Sequence, residues 1–353
     1  MAHALVFGAS GILGWAVVNE ILNNYPREGE FAKVTALVNR PLDLESFHWP
    51  ASEPKRPQLN LVSGVDLTKG SLEDIQDLLK HKVPDIDTVT QVFWFAYKSD
   101  PDFPTETRIN RAMLERGFGA VESLAPKLSY VILPTGIKGY RIHMPERPFQ
   151  APYKESFGEL PQPWRDQLFY FALRDGLNAL QQGKKWQWAE VRCDIVVGFV
   201  PNDNAYNLAA FFMNYLSLYA YVHGRGTRVP FPGSPASWDI LSNDGGQDIF
   251  ARFSIHILLH PDKAGNAESY NIADSVKPES FSSRWPLICS YFGLIGEPPL
   301  APDDPNFISP GRFIKEHQKE LEEMESKLRE GRGQDPDREF DGGVGGLDDA
   351  FQL

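Results

Sequence analysis

A short apolar run, Ala4-Leu5-Val6-Phe7, passes straight into Gly8-Ala9-Ser10-Gly11-Ile12-Leu13-Gly14 and then into a second apolar stretch. This predicts a strand, a tight turn and a helix. Glycine lacks a Cβ, so it lets the turn close, lets a pyrophosphate approach the backbone and lets the helix lie close to the sheet. The helix start then faces the phosphates with free N–H groups and a partial positive charge. Gly8, Ser10, Gly11, Ile12 and Gly14 are therefore candidate dinucleotide-binding residues.

The next 130 residues repeat the alternation. Val34–Val38, Leu59–Val62, Thr90–Phe95 and Leu128–Leu133 read as strands, and Gly14–Asn23, Ser71–Leu79 and Ile109–Leu124 as helices. Ser71 and Asp74 have the spacing of a capping box. This pattern predicts an α/β fold: a Rossmann-type doubly wound parallel sheet, with a smaller, mostly helical C-terminal substrate lobe. Residues 1–200 are expected to form the dinucleotide-binding domain. Within it, the proline-rich stretch 141–167 would be a loop over the site, followed by a helix from Trp164 to Gln182 and a strand over Ala189–Val197. The lobe is expected over 201–312, with some segments returning to the sheet. Residues 313–353 read as a charged, solvated helix and a flexible acidic tail, so a chain ending near Gly311 should keep its fold.

Thirty-five basic against 47 acidic side chains give a net charge of −12. That argues against nucleic acid or an anionic membrane as the main partner. Two cysteines, Cys193 and Cys289, cannot build a disulfide framework and point to a reducing compartment. The opening residues carry no targeting pattern. The longest apolar stretch, Tyr206–Val222, contains Asn207, Asn214 and Ser217 and reads as a buried helix rather than a membrane span. A cytoplasmic protein is expected.

The end of the second strand selects the cofactor. An acidic residue there would bond a ribose 2′-hydroxyl; this chain has Asn39 and Arg40, with no carboxylate until Asp43. Arg40 can pair with a 2′-phosphate, so NADP(H) is expected. Asp66 and Leu67, just after the third strand, are candidates to meet the adenine. Short-chain dehydrogenases commonly use Tyr-x-x-x-Lys, which this chain lacks; Tyr170 is followed by Arg174 at the lysine position. Thr135 and Lys138 stand at the end of the fifth strand, an edge that faces the ligand crevice. Trp94, Phe95 and Tyr97, together with Tyr153, Tyr206 and Phe212, are candidates to line an apolar substrate pocket, although core packing explains such residues as well. His256 and His260 lie one turn apart without an obvious third ligand, so no metal is expected.

These residues carry a family resemblance. Thr135-Gly136-Ile137-Lys138-Gly139-Tyr140 resembles the Thr-Gly-x-Lys-His-Tyr segment of the progesterone 5β-reductase/iridoid synthase family. Leu168-Phe169-Tyr170-Phe171, Trp188 to Arg192, Gly198 to Pro201, Phe231-Pro232-Gly233 and Tyr270-Asn271-Ile272 are similar to further segments of it, in the same order. Gly139 stands where that family has histidine, Phe171 where it has a second tyrosine, and Cys193 where it has proline. The resemblance implies NADPH-dependent reduction of the C=C bond of an α,β-unsaturated carbonyl compound, with Tyr170 and Lys138 as the catalytic pair. The implied partner is a small apolar enone or enal, and a homodimer is compatible with the reading. Carbonyl reduction on the same site, redox-neutral isomerisation or cyclisation, and non-enzymatic dinucleotide sensing are the alternatives.

Overall fold

The computed structural model describes residues 1–144, 146–201, 207–301 and 303–331, with side chains described through Lys327. Six strands, β1 (Ala2–Phe7), β2 (Phe31–Leu37), β3 (Gln58–Val62), β4 (Gln91–Trp94), β5 (Tyr130–Gly136) and β6 (Gln187–Cys193), join the strand Glu268–Ile272 in one sheet. Its order is Glu268–Ile272, β6, β5, β4, β1, β2, β3, and every pairing is parallel. Continuous apolar runs are what such a sheet requires, because helices cover both faces; all of Ala4–Phe7 and Gln91–Trp94 is buried. The chain order reverses at β1, whose neighbours are β2 and β4. Ligand crevices in open α/β sheets open at the strand ends beside such a reversal.

Helices α1 (Ile12–Leu22), α2 (Leu72–Lys82), α3 (Phe103–Leu124) and α4 (Phe169–Gln181) connect the strands. Leu5, Phe7, Trp94, Val131 and Leu133 share a core cluster with Leu79, Leu114, Phe118, Leu173 and Leu177, so α2, α3 and α4 form one layer. In the other layer α1 packs beside the helix Gln247–Leu259, and Arg252 pairs with Glu20 at 2.8 Å. The capping box at α2 is present: Ser71 Oγ accepts from the Asp74 amide and Asp74 Oδ2 accepts from the Ser71 amide.

Three element boundaries differ from the expectation by four residues or more. Helix α3 starts at Phe103 rather than Ile109, because Asp102 Oδ2 accepts from the Thr105 amide at 3.0 Å and Pro104 sits in the first turn. The segment after Trp164 is no single helix. A 3₁₀ turn, Trp164–Gln167, ends at the extended Leu168 (φ −125°, ψ 114°), and α4 begins after it. That break puts Tyr170 in the first turn of α4. Strand β6 stops at Cys193 instead of running to Val197.

The chain divides into two compact units. Among the described residues, one comprises Met1–Asp194 and Gly245–Ala273 with Val200 and Pro201; the other comprises Ile195–Phe199, 207–244 and 274–331. Residues 245–273, within the stretch expected to return some segments to the sheet, belong to the sheet unit, where Glu268–Ile272 pairs with β6. In the second unit α5 (Leu208–His223) is capped by Asn207, whose Oδ1 accepts from the Ala209 and Ala210 amides. No helix among the described residues is long and apolar enough to cross a membrane.

The core of the second unit corrects the reading of residues beyond 312. Phe313, Ile314 and Leu321 are 4%, 3% and 2% exposed and pack with Tyr215, Phe231 and Trp285. The helices Pro310–Glu316 and Gln318–Gly331 are rich in charge, yet the sparse apolar side chains Phe313, Ile314 and Leu321 close the core. The acidic stretch after Gly331 lies outside the described residues.

Candidate functional site

The turn after β1 has the geometry that glycine alone accepts. Gly8 has φ +71°, and a Cβ there would lie 2.6 Å from the carbonyl oxygen of Phe95. A Cβ on Gly14 would lie 2.4 Å from the carbonyl oxygen of Gly8. Gly11 is the N-cap of α1 and supplies no side-chain cap, while Ile12 opens the helix and is buried. Ser10 is half-buried at the same turn. The first amides of α1 are thus left without a side-chain acceptor, at a helix end suited to a pyrophosphate. The residues present fit a dinucleotide.

At the adenine end, Asn39 and Arg40 are exposed just past β2, and the Asn39 carbonyl accepts from the Gly64 amide at 3.1 Å. Asp66 is engaged in its own turn. Its carboxylate accepts from the Thr68 hydroxyl and amide and pairs with Lys69 at 3.0 Å, which together hold its pKa down at about 2. Leu67 directs its side chain into the core, 4% exposed, and its carbonyl accepts from Arg116 at 2.7 Å.

The carboxyl end of β5 gathers the polar chemistry. The Tyr170 hydroxyl lies 3.4 Å from where a Cβ on Gly136 would sit, so a larger residue there would crowd it. Lys138 is exposed on the 3₁₀ turn Ile137–Tyr140 that follows. Its charge is felt by two neighbours. Burial raises the pKa of Glu106 while Lys138 opposes that rise. Burial, with Lys138 and two arginines behind it, holds the His143 imidazole down at about 4. The turn after β5 thus carries a cation that acts on both neighbours.

Thr135 is engaged in the interior. Its hydroxyl is buried and donates to Glu190 Oε1 at 2.5 Å. Arg174, four residues after Tyr170, donates to Glu190 Oε2 at 2.6 Å. The Tyr-x-x-x-Arg spacing thus serves a buried ion pair. Glu190 is a residue to which the sequence reading gave no role. Two opposite charges at alternate positions of the apolar run Gln187–Cys193 were the available signal, since such residues share a face of the strand.

The aromatic candidates differ in burial. Tyr97 is 42% exposed and stacks on Phe169 at 5.8 Å, and Phe169 meets Tyr170 edge-on at 4.7 Å. Phe95 is half-buried against Phe93 and Phe250. Tyr153, in the long loop, stacks on Tyr140 at 5.1 Å. Trp94 is only 1% exposed and packs on Phe7 and Gly117, so it belongs to the core. Phe212 is likewise a core residue of the second unit, between Phe281 and Trp285. Tyr206 lies outside the described residues. His260 Nδ1 donates to the His256 carbonyl at 2.7 Å, and among the described residues no group of three ligating side chains is assembled for a metal.

The family model of the PRISE-like Rossmann-fold domain matches residues 4–344. A short chain dehydrogenase of Aspergillus calidoustus is 36% identical over 299 residues, covering 82% of this chain and 71% of that one. A 3-oxo-Delta(4,5)-steroid 5-beta-reductase of Arabidopsis thaliana is 25% identical over 298 residues, covering 82% and 69%. Among solved structures, the UDP-glucose 4-epimerase of Thermus thermophilus in complex with NAD superimposes with a TM-score of 0.53 at 16% identity, covering 99% of this chain and 98% of that one. That likeness concerns the fold.

Proposed function

The chain belongs to the PRISE-like Rossmann-fold family and is an oxidoreductase of the short-chain dehydrogenase kind, and from that premise we propose that it uses NADPH to reduce the C=C bond of apolar α,β-unsaturated carbonyl compounds. The observation that carries this reading is the approach of the Tyr170 hydroxyl to Gly136, beside the turn that bears Lys138. A nicotinamide, when bound, supplies a hydride for the β-carbon of the substrate. Tyr170 donates a hydrogen bond to the carbonyl oxygen, where negative charge gathers as the enolate forms. Lys138 keeps that end of the site positive, so the donor and the field act on the same oxygen. The enolate then takes a proton at its α-carbon, and the substrate has gained one hydride and one proton. Tyr97 and Phe169 offer an apolar wall beside the phenol. The preference for NADPH is supported by Arg40 at the end of β2, where no carboxylate follows until Asp43.

The test is NADPH oxidation with a weakly activated apolar enone, followed by identification of the product. A saturated ketone is expected. An allylic alcohol would mean carbonyl reduction instead, and a rearranged product without NADPH loss would mean redox-neutral chemistry. Tyr170→Phe keeps the ring and removes the donor, so turnover should fall roughly a hundred- to a thousandfold while cofactor affinity holds. Lys138→Ala should lower turnover as well. Full turnover in Tyr170→Phe would remove the phenol from the mechanism.

A further inference from the structure

Beneath the end of β5 lies a charged cluster that the proposed chemistry does not use. Glu190, on β6, is 2% exposed and receives four donors. Thr135 donates to Oε1; Arg174, Arg192 and Ser269 donate to Oε2 at 2.6, 2.8 and 2.7 Å. Arg192, also 2% exposed, reaches on to the Tyr140 hydroxyl at 3.0 Å, which in turn donates to Asn271 Oδ1 at 2.8 Å. One carboxylate on β6 thereby connects β5, α4, the strand Glu268–Ile272 and, through Arg192, the 3₁₀ turn Ile137–Tyr140. Thr135 belongs to β5 and immediately precedes Gly136, against which the Tyr170 hydroxyl rests. Arg174 lies one turn beyond Tyr170 on α4. Tyr140 lies two residues beyond Lys138, on the same 3₁₀ turn.

Clusters of this kind are poor sources of net stability, because removing the charges from water costs about what their attraction returns. Burial pushes the Glu190 carboxyl up, but Arg192 and Arg174 outweigh it and keep the group ionised, below the ordinary carboxylate range. What such a cluster does supply is fixed geometry. Every lone pair direction of Glu190 that meets a donor restricts where that donor's helix or strand can lie.

We infer that Glu190 is a positioning residue that sets Tyr170 and Lys138 relative to each other through Arg174, Arg192 and Thr135, a reading that rests on the proposed ene reduction. A misplacement of about 1 Å can cost on the order of a hundredfold in rate. The carboxylate is therefore needed for turnover rather than for cofactor binding.

A double-mutant cycle of Glu190→Gln and Tyr170→Phe tests it, with kcat, KM for the enone, NADPH affinity and melting temperature read on all four proteins. Glu190→Gln should lower kcat roughly ten- to a hundredfold with NADPH affinity little changed. In the Tyr170→Phe background the same substitution should change kcat by less than about twofold, because the group it positions is already gone. Equal losses in the two backgrounds overturn the inference alone, since a cluster that merely holds the sheet together acts regardless of Tyr170. Full turnover in Tyr170→Phe overturns the chemical reading, and this inference with it. Should Glu190→Gln fail to fold, Arg174→Met and Arg174→Lys replace it in the cycle. Lysine keeps a cation beside Glu190 and should recover most of the kcat that methionine loses; equal kcat in the two variants overturns the inference.

Discussion

Arg40 stands exposed three residues past the end of β2, where a carboxylate would have selected the unphosphorylated cofactor. A charge-assisted contact with a 2′-phosphate is worth roughly 1.5–3 kcal/mol. Arg40→Ala should therefore lose about ten- to a hundredfold in NADPH affinity and little in NADH affinity. Calorimetric titration with both cofactors reads this directly, and equal affinities in the unaltered protein would exclude the role given to Arg40. His3 makes a second prediction at this scale. It is 4% exposed on β1, with Nδ1 at 2.8 Å from the Thr88 hydroxyl and Nε2 at 2.9 Å from the Thr35 hydroxyl. Burial lowers its pKa from 6.5 to about 4, with Asp85 opposing and Lys33 adding to the effect. As the pH falls, the unfolded chain takes up this proton before the folded one does. Stability present at pH 7 is thus lost between about 6.5 and 4, by on the order of 3 kcal/mol. His143 is held down in the same window. Melting curves across that window should flatten in part for His3→Asn and further for the double variant with His143→Asn; an unaltered slope in both would assign the acid sensitivity elsewhere.

At the scale of elements, the β1–α1 turn is the most constrained piece of the sheet edge. Gly8 combines a positive φ with a backbone carbonyl that a Cβ would strike at 2.6 Å, and a backbone atom cannot swing aside as a side chain can. Gly8→Ala should cost about 1–3 kcal/mol of stability from the left-handed conformation alone. It should also weaken dinucleotide binding more than tenfold, since the shift moves the amides at the start of α1. Fluorescence titration beside a thermal melt separates the two effects. Lost stability with full affinity would mean that this turn does not cradle the pyrophosphate. Helix α4 shows how a local break places a side chain: the extended Leu168 ends the 3₁₀ turn, and the restart fixes Tyr170 in the first turn of the helix.

At the scale of the whole molecule, the second unit depends on residues far along the chain. Ending the chain after Gly311 removes Phe313, Ile314 and Leu321 from its core. Burying one such side chain contributes about 1.5–3 kcal/mol, so the three together rival the 5–15 kcal/mol by which proteins are typically stable. The truncated chain should melt at least about 10 °C lower. An unchanged melting temperature would return these helices to the solvated surface.

The glycine turn, the parallel sheet and the crevice edge were legible because each rests on local rules: sterics at a positive φ, a period of two along a strand, and apolar runs spaced for strand–helix alternation. Asp66 and Thr135 show where local rules stop. Both stand at strand ends that face a crevice, yet Asp66 is taken up by its own turn and Thr135 by Glu190, 55 residues away. That second contact follows from the register of β5 on β6, which sets Thr135 opposite Arg192 and Leu133 opposite Glu190. Trp94 and Phe212 read as pocket or core in sequence, and only packing resolved them as core. The charged look of residues 315–331 hid Leu321 for the same reason. A few apolar side chains decide burial when a neighbouring surface is there to receive them, and composition cannot say whether it is. The sequence by itself determined the backbone path at the glycines and the class of fold. Which charges meet in the interior was decided by tertiary structure, because strand register and helix phase bring together residues that no local spacing relates.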